Sequence, residues 1–366
     1  MQERHEAGSR RNAAVLRVLP SAEKAEDLAL RTYVIVIAAA IVLGCTLRAG
    51  IVLASDFPLN DGGLFFVMTR DIQSNGYALP AFTSYNGDGI PFAYPPLALY
   101  IAAAVNDVTG ISLIQLFRFL PLLASCLSIP AFFLLAREIL TSRRAVFFAV
   151  TLFGLLPAGF MWMIMGGGIT RSFGFLFAIL ALHQIHQMYV KRAAWRAAPA
   201  ALLAALTALS HLEMGWFVAF TAGLLFLAYA RNSYGVRVSL AVAGGTLLLT
   251  APWWATLLSR HGAGPLLEAA HSGSYPLAGP LMLLSFDPTV EPLFAAVASL
   301  ALLGAFSCLM NRRYWLPGWV AAAALLDVRA FPTSSTMAIA FLAAIGIENV
   351  LLPMLRHTQW FRPSVA

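Results

Sequence analysis

Runs of apolar residues, separated by short polar connections, recur along the chain. Roughly 20 apolar residues make a helix long enough to cross a hydrocarbon core of about 30 Å. A closed barrel would need apolar and polar residues to alternate at every second position, and these runs are continuous. The pattern predicts an all-α, polytopic membrane protein of about ten spanning helices. They fall at Leu30–Ala54, Ile111–Ala136, Ala145–Met165, Phe173–Val190, Ala197–Leu212, Gly215–Ala230, Val238–Leu258, Pro292–Met310, Leu316–Leu326 and Thr333–Leu352.

The first run is too long for a signal-peptide core and reads as a retained helix. No internal repeat or linker divides the chain. The organisation expected is a cytoplasmic tail (1–29), one transmembrane domain (30–353) and a cytoplasmic C-terminal tail (354–366). Two long polar loops interrupt the domain, at 55–110 and 259–291. Within the first, the apolar stretch Tyr94–Val105 is too short to span and predicts a juxtamembrane or re-entrant helix.

Composition agrees: 60% of the residues are hydrophobic and only 11% charged, where a soluble domain carries about 25% charged residues. The formal charge of +7 does not indicate nucleic acid, because the basic residues sit in short loops between apolar runs. With the N-terminus in the cytoplasm, 18 of the 24 Lys and Arg fall on the cytoplasmic side, as the positive-inside rule requires. A full crossing at Tyr94–Val105 would reverse that bias. Cys45, Cys126 and Cys308 are scattered through apolar runs and form no metal or disulfide pattern.

Acidic residues have the opposite distribution, with 10 of 17 facing outward. Five outward segments carry Asp56, Asp61, Arg70, Asp71 and Asp88; Gly166-Gly167-Gly168 before Arg171; His211 and Glu213; Arg260, His261, Tyr275 and Asp287; and Asp327 with Arg329. Ionisable groups gathered on one membrane face point to a functional site there.

The order of several short motifs resembles the GT-C-fold membrane glycosyltransferases, the superfamily of the protein O-mannosyltransferases and aminoarabinose transferases. These motifs are Asn60-Asp61-Gly62-Gly63 after the first helix, Gly76–Pro80, Tyr94-Pro95-Pro96-Leu97 closing the loop, Ala251-Pro252-Trp253-Trp254, and Asp327-Val328-Arg329 before the last helix. Many members carry a second acid directly after the first, where this chain has Gly62. The resemblance implies an inverting transfer of a sugar from a polyprenyl-phosphate donor to an acceptor hydroxyl on a lipid, glycan or protein, at the non-cytoplasmic face.

That chemistry needs a carboxylate to take the acceptor's proton and a cation to hold the departing phosphate. Asp61 is the expected base, with Asp56 as the alternative. Arg329, Arg171, and Arg260 with His261 are candidates for the phosphate, the glycine run offering backbone donors beside Arg171. His211, Glu213 and Tyr94 could serve the acceptor, and His211 and Glu213 with a loop aspartate could hold a divalent metal. Arg48, inside the first helix, is expected to pair with Asp56 or Asp61. A transporter or flippase of a lipid-linked or polar substrate, and a non-catalytic membrane subunit retaining the fold, are the competing readings.

Overall fold

A computed structural model describes residues 22–271, 281, 289–291 and 295–357. Tyr275 and Asp287, much of the second loop and most of both tails lie outside the described residues.

The described chain is helical: α1 (Ala22–Leu53), α2 (Gly63–Ser74), α3 (Leu97–Thr109), α4 (Leu113–Ile139), α5 (Arg143–Leu155), α6 (Ile169–Val190), α7 (Ala197–Ser210), α8 (Leu212–Tyr229), α9 (Ser233–His261), α10 (Gly264–His271), α11 (Ala296–Met310), α12 (Trp315–Leu326), α13 (Phe331–Gly346) and α14 (Leu352–His357). Six helical stretches are long and apolar enough to cross a membrane, within α1, α4, α6, α8, α9 and the α13–α14 run. Apolar helices of 10–17 residues fill in between them. The chain is an integral membrane protein.

The span expected at Ala145–Met165 is shorter than the sequence pattern suggests. Its helix α5 stops at Leu155, because Pro157 cannot continue the hydrogen-bond ladder. The residues after it run through 3-10 turns at Pro157–Gly159 and Gly166–Gly168 before α6 begins. This irregular stretch forms the floor of the site described below.

Pairing along α1 and α4 settles the path of the first loop. Cys45 approaches the carbonyl of Cys126, Arg48 reaches Ser125, and Arg118 reaches the carbonyl of Val52. Positions rise along α1 as they fall along α4, so the two helices run antiparallel as neighbours. The loop between them therefore leaves and returns at the same end of the bundle, and α2 and α3 do not add a crossing. Gly110, with φ +73°, ends α3, and the Ser112 hydroxyl caps α4 through the Gln115 amide. A separate apolar cluster of Met68, Ile72, Phe92 and Leu99 seats α2 and α3 on Phe117 of α4 and Ile169 of α6. The main core lies deeper, where Phe132 stacks between Phe153 and Phe341, and Trp319 packs against Phe341 and Phe217.

Arg48 corrects an expectation. It pairs with neither Asp56 nor Asp61. Its side chain is fully buried, donates to Ser125 Oγ and to the carbonyls of Gly44 and Gly154, and lies over the Phe160 ring. It ties α1 to α4 and α5. A buried charge with no carboxylate partner is retained only while its donors are satisfied, and Nη2 already lacks a partner. Arg48→Met removes the charge, whereas Arg48→Lys keeps it and loses the planar fork. Thermal unfolding in detergent is expected to rank Arg48→Met above Arg48→Lys, by about 1–3 kcal/mol; the reverse order would show that the charge itself stabilises the bundle.

Candidate active site

The site lies at the end of the bundle where α1 stops and α4 and α6 start. Three breaks in helical structure deliver its residues: the loop 54–62, the turns before α6, and the extended residue His211 between α7 and α8 (φ −158°, ψ 118°). A fourth break, Asp327–Ala330, separates α12 from α13.

Asp61 is held against the glycine run from 105 residues downstream. The amides of Gly166 and Gly167 donate to the carbonyls of Leu59 and Asp61, at 2.9 and 2.8 Å. The Asp61 carboxylate lies over Gly167 so closely that a Cβ there would collide with Oδ1. The Gly168 amide bonds to Met165. All three glycine amides are thus spent within the protein, so the expectation that they cradle a phosphate is corrected. Their lack of side chains lets the loop settle on them.

Gly62 completes the seat. Its φ of +147° belongs to a region that side-chain-bearing residues avoid, and a Cβ would lie 3.1 Å from the Gly166 carbonyl carbon. A second acid at position 62 has no room in this backbone. Asp61 itself is exposed, as is Asp56.

One turn beyond the glycines, Arg171 pairs with Glu213 at 3.4 Å and its guanidinium faces the Trp162 ring at 5.9 Å. The hydroxyl of Tyr94 is 3.3 Å from that of Thr170, and the Tyr94 ring meets His211 edge-on at 6.0 Å. Arg329 is exposed and lies within electrostatic reach of both Tyr94 and His211. Burial, reinforced by the charges of Arg171 and Arg329, pushes the His211 imidazole down to about 3 and keeps it neutral. Asp327 is buried; that burial and the charge of Glu213 push its carboxyl up to about 7, against the hydrogen bonds of Ser334 and Ala330 and the charge of Arg171.

The structure thus gathers Tyr94, Arg171, His211, Glu213 and Arg329, all anticipated from sequence, and adds Thr170, Trp162 and a buried Asp327. Arg260 and His261 go elsewhere. Arg260 donates to the carbonyl of Leu79, and His261 meets the Phe82 ring, so both brace the far part of the first loop. Asp71 is likewise structural. Burial would raise its pKa, but hydrogen bonds from Ser84 and Thr83 outweigh that and hold the carboxyl below its ordinary value. Among the described residues no three His, Cys, Asp or Glu side chains are placed to hold a metal together.

Buried polar atoms without partners also collect here: Arg171 Nε, His211 Nδ1 and Asp327 Oδ2. Each such atom costs about 1–3 kcal/mol.

No protein-family model and no curated protein sequence matches the chain. Solved structures do. The archaeal oligosaccharyltransferase AglB from Archaeoglobus fulgidus, in complex with an inhibitory peptide and a dolichol-phosphate, superposes with a TM-score of 0.60 at 16% identity, over 91% of this chain and 52% of that one. ArnT from Cupriavidus metallidurans in the apo state gives 0.59 at 16% identity, over 88% of this chain and 60% of that one. This protein has the GT-C fold. ArnT bound to undecaprenyl phosphate gives 0.57, again at 16% identity and over 87% and 60% of the two chains. The chain spans between half and three fifths of the length of these GT-C structures. The identity is low enough that the likeness concerns the fold alone.

The seat of Asp61 is open to test through Gly62. Gly89 also has a left-handed φ, +64°, but nothing lies within 4 Å of its Cβ position. Gly62→Ala is expected to destabilise by about 1–3 kcal/mol more than Gly89→Ala, because only the former combines strain with a clash. Melting curves of the two variants in the same detergent decide it; equal losses would contradict the close approach.

Proposed function

We propose that this chain is an inverting glycosyltransferase that moves a sugar from a polyprenyl-phosphate donor to an acceptor hydroxyl at the non-cytoplasmic face of the membrane. One observation carries the reading. An exposed carboxylate, Asp61, is held on a glycine turn one helical turn from a guanidinium, Arg171, at the end of a GT-C bundle where α1 stops and α6 starts. The neighbours captured with dolichol-phosphate and undecaprenyl phosphate support the carrier class.

Each residue has a physical task. Asp61 accepts the proton of the acceptor hydroxyl as its oxygen attacks the anomeric carbon. The bond from that carbon to the phosphate oxygen breaks on the opposite face, which inverts the configuration. The phosphate leaves as an anion, needs no strong acid, and is held by Arg171 and Arg329. Arg171 starts in contact with Glu213, so the phosphate competes with that carboxylate for the guanidinium. His211, kept neutral, orients Tyr94 and adds no charge. The basic residues of the opposite side, Arg137, Arg143, Arg144, Lys191, Arg192 and Arg196, support a cytoplasmic position for that side. The acceptor is a hydroxyl-bearing lipid, glycan or protein.

Purified protein in lipid nanodiscs, incubated with a panel of polyprenyl-phosphate sugars and assayed by mass spectrometry for release of the bare carrier, tests this. Asp61→Asn is expected to lower transfer by at least about 100-fold while donor binding persists; unchanged turnover would remove Asp61 as the base. Arg329→Ala is expected to weaken donor binding by about 10-fold or more with the melting temperature kept; unchanged binding would remove Arg329 from the phosphate site.

A further inference from the structure

The transfer chemistry leaves Asp327 without a task. It sits in the break between α12 and α13 with only 6% of its surface exposed. Ser334 and the Ala330 amide lie close enough to favour its ionised form, yet Oδ2 has no partner. A carboxylate oxygen withdrawn from water and left unmatched is costly unless something else fills it. Two more buried atoms in the same neighbourhood share that condition, Arg171 Nε from α6 and His211 Nδ1 from the α7–α8 break. Asp327 is in electrostatic reach of Arg171 and Glu213, and His211 of Arg171.

These atoms describe their missing ligand. Arg171 offers a donor and needs an acceptor; Asp327 offers an acceptor and needs a donor. An ionised phosphate presents acceptors alone, so a bare carrier satisfies Arg171 but leaves Asp327 unmatched whenever that carboxyl is ionised. A sugar attached to that phosphate supplies the other half, through a ring hydroxyl or an ammonium group. The acceptor substrate is the poorer fit, because its hydroxyl goes to Asp61 on the α1–α2 side, whereas Asp327 adjoins the cation that holds the phosphate.

The geometry points to Asp327 as the residue that reads the donor sugar, by accepting a hydrogen bond from a hydroxyl or ammonium group on its ring. This rests on the glycosyl-transfer reading above and adds specificity to it. A buried acceptor made for such a group penalises an analogue that lacks it.

Binding to the full chain in nanodiscs separates the two claims. The probes are polyprenyl phosphate alone, the same carrier bearing a hexose, each monodeoxy version of that hexose, and an amino sugar. Asp327→Asn, close in shape, and Asp327→Ala are compared with the native chain, with melting temperature as the folding control. Both variants are expected to bind the bare carrier like the native chain. They are expected to lose affinity for a sugar-bearing carrier by about 10–100-fold. In the native chain one deoxy position should cause a similar loss, and in Asp327→Ala that position should no longer matter. A preference for the amino sugar that disappears with Asp327 identifies an ammonium as the group read; a deoxy penalty alone identifies a hydroxyl. Equal loss for bare and sugar-bearing carriers, or no loss at all, overturns the assignment of Asp327 but leaves the transferase reading in place. Failure of the native chain to bind any of the carriers overturns both.

Discussion

The Asp61 carboxylate rests on the backbone of Gly167, and any side chain there would collide with it. Much of the site depends on that contact. The chain after α1 must descend onto the turn that starts α6, which requires bare backbone on both sides: Gly166 and Gly167 below, Gly62 above. Two backbone hydrogen bonds then fix the loop, and the first turn of α6 carries Thr170 and Arg171 to the same place. The irregular stretch that makes this possible exists because Pro157 stops α5 early.

The membrane sets the second constraint. Charged groups within a bilayer must pair, reach an interface or be enclosed, and the arginines here do each of these. Arg48 is enclosed among carbonyls, a hydroxyl and an aromatic ring, and becomes a structural cross-tie. Arg118 reaches the carbonyl of Val52 at the helix end. Arg171 pairs incompletely, with Glu213 on one nitrogen and nothing on Nε. Arg48 also leaves one nitrogen, Nη2, unmatched, but it does so deep between helices; Arg171 does so at the end of the bundle, close to His211 and the buried Asp327.

Much of this was legible in the chain before its coordinates. Apolar runs marked the helices, and the bias of Lys and Arg showed that Tyr94–Val105 does not cross, as the antiparallel α1–α4 pair bears out. Asp61, Arg171, His211, Glu213 and Arg329 stood out as polar residues at helix breaks on one face. Three-dimensional contacts were not legible. Arg48 looked like a partner for a nearby acid because sequence distance hides the depth at which a helical residue lies. The glycine run looked like a phosphate cradle, since its amides could not be seen to be already taken. Arg260 and His261 carried the right charge, but nothing in one dimension showed them turned toward Leu79 and Phe82. Asp327 was visible only as a neighbour of Arg329; its burial and free oxygen belong to the packing of α12 against α13.

The seating of the acidic loop on the glycine turn is tested most directly by covalent capture. Asp61→Cys and Gly167→Cys, introduced together with the three native cysteines replaced by alanine, place two thiols across the contact. The backbone bond between these residues brings their Cα atoms within the range of about 4.4–6.8 Å that a disulfide spans. Mild oxidation is expected to join the two positions quantitatively, seen as a cross-linked peptide pair after proteolysis. A thiol pair that stays reduced, in protein that retains its native melting temperature, would contradict the account.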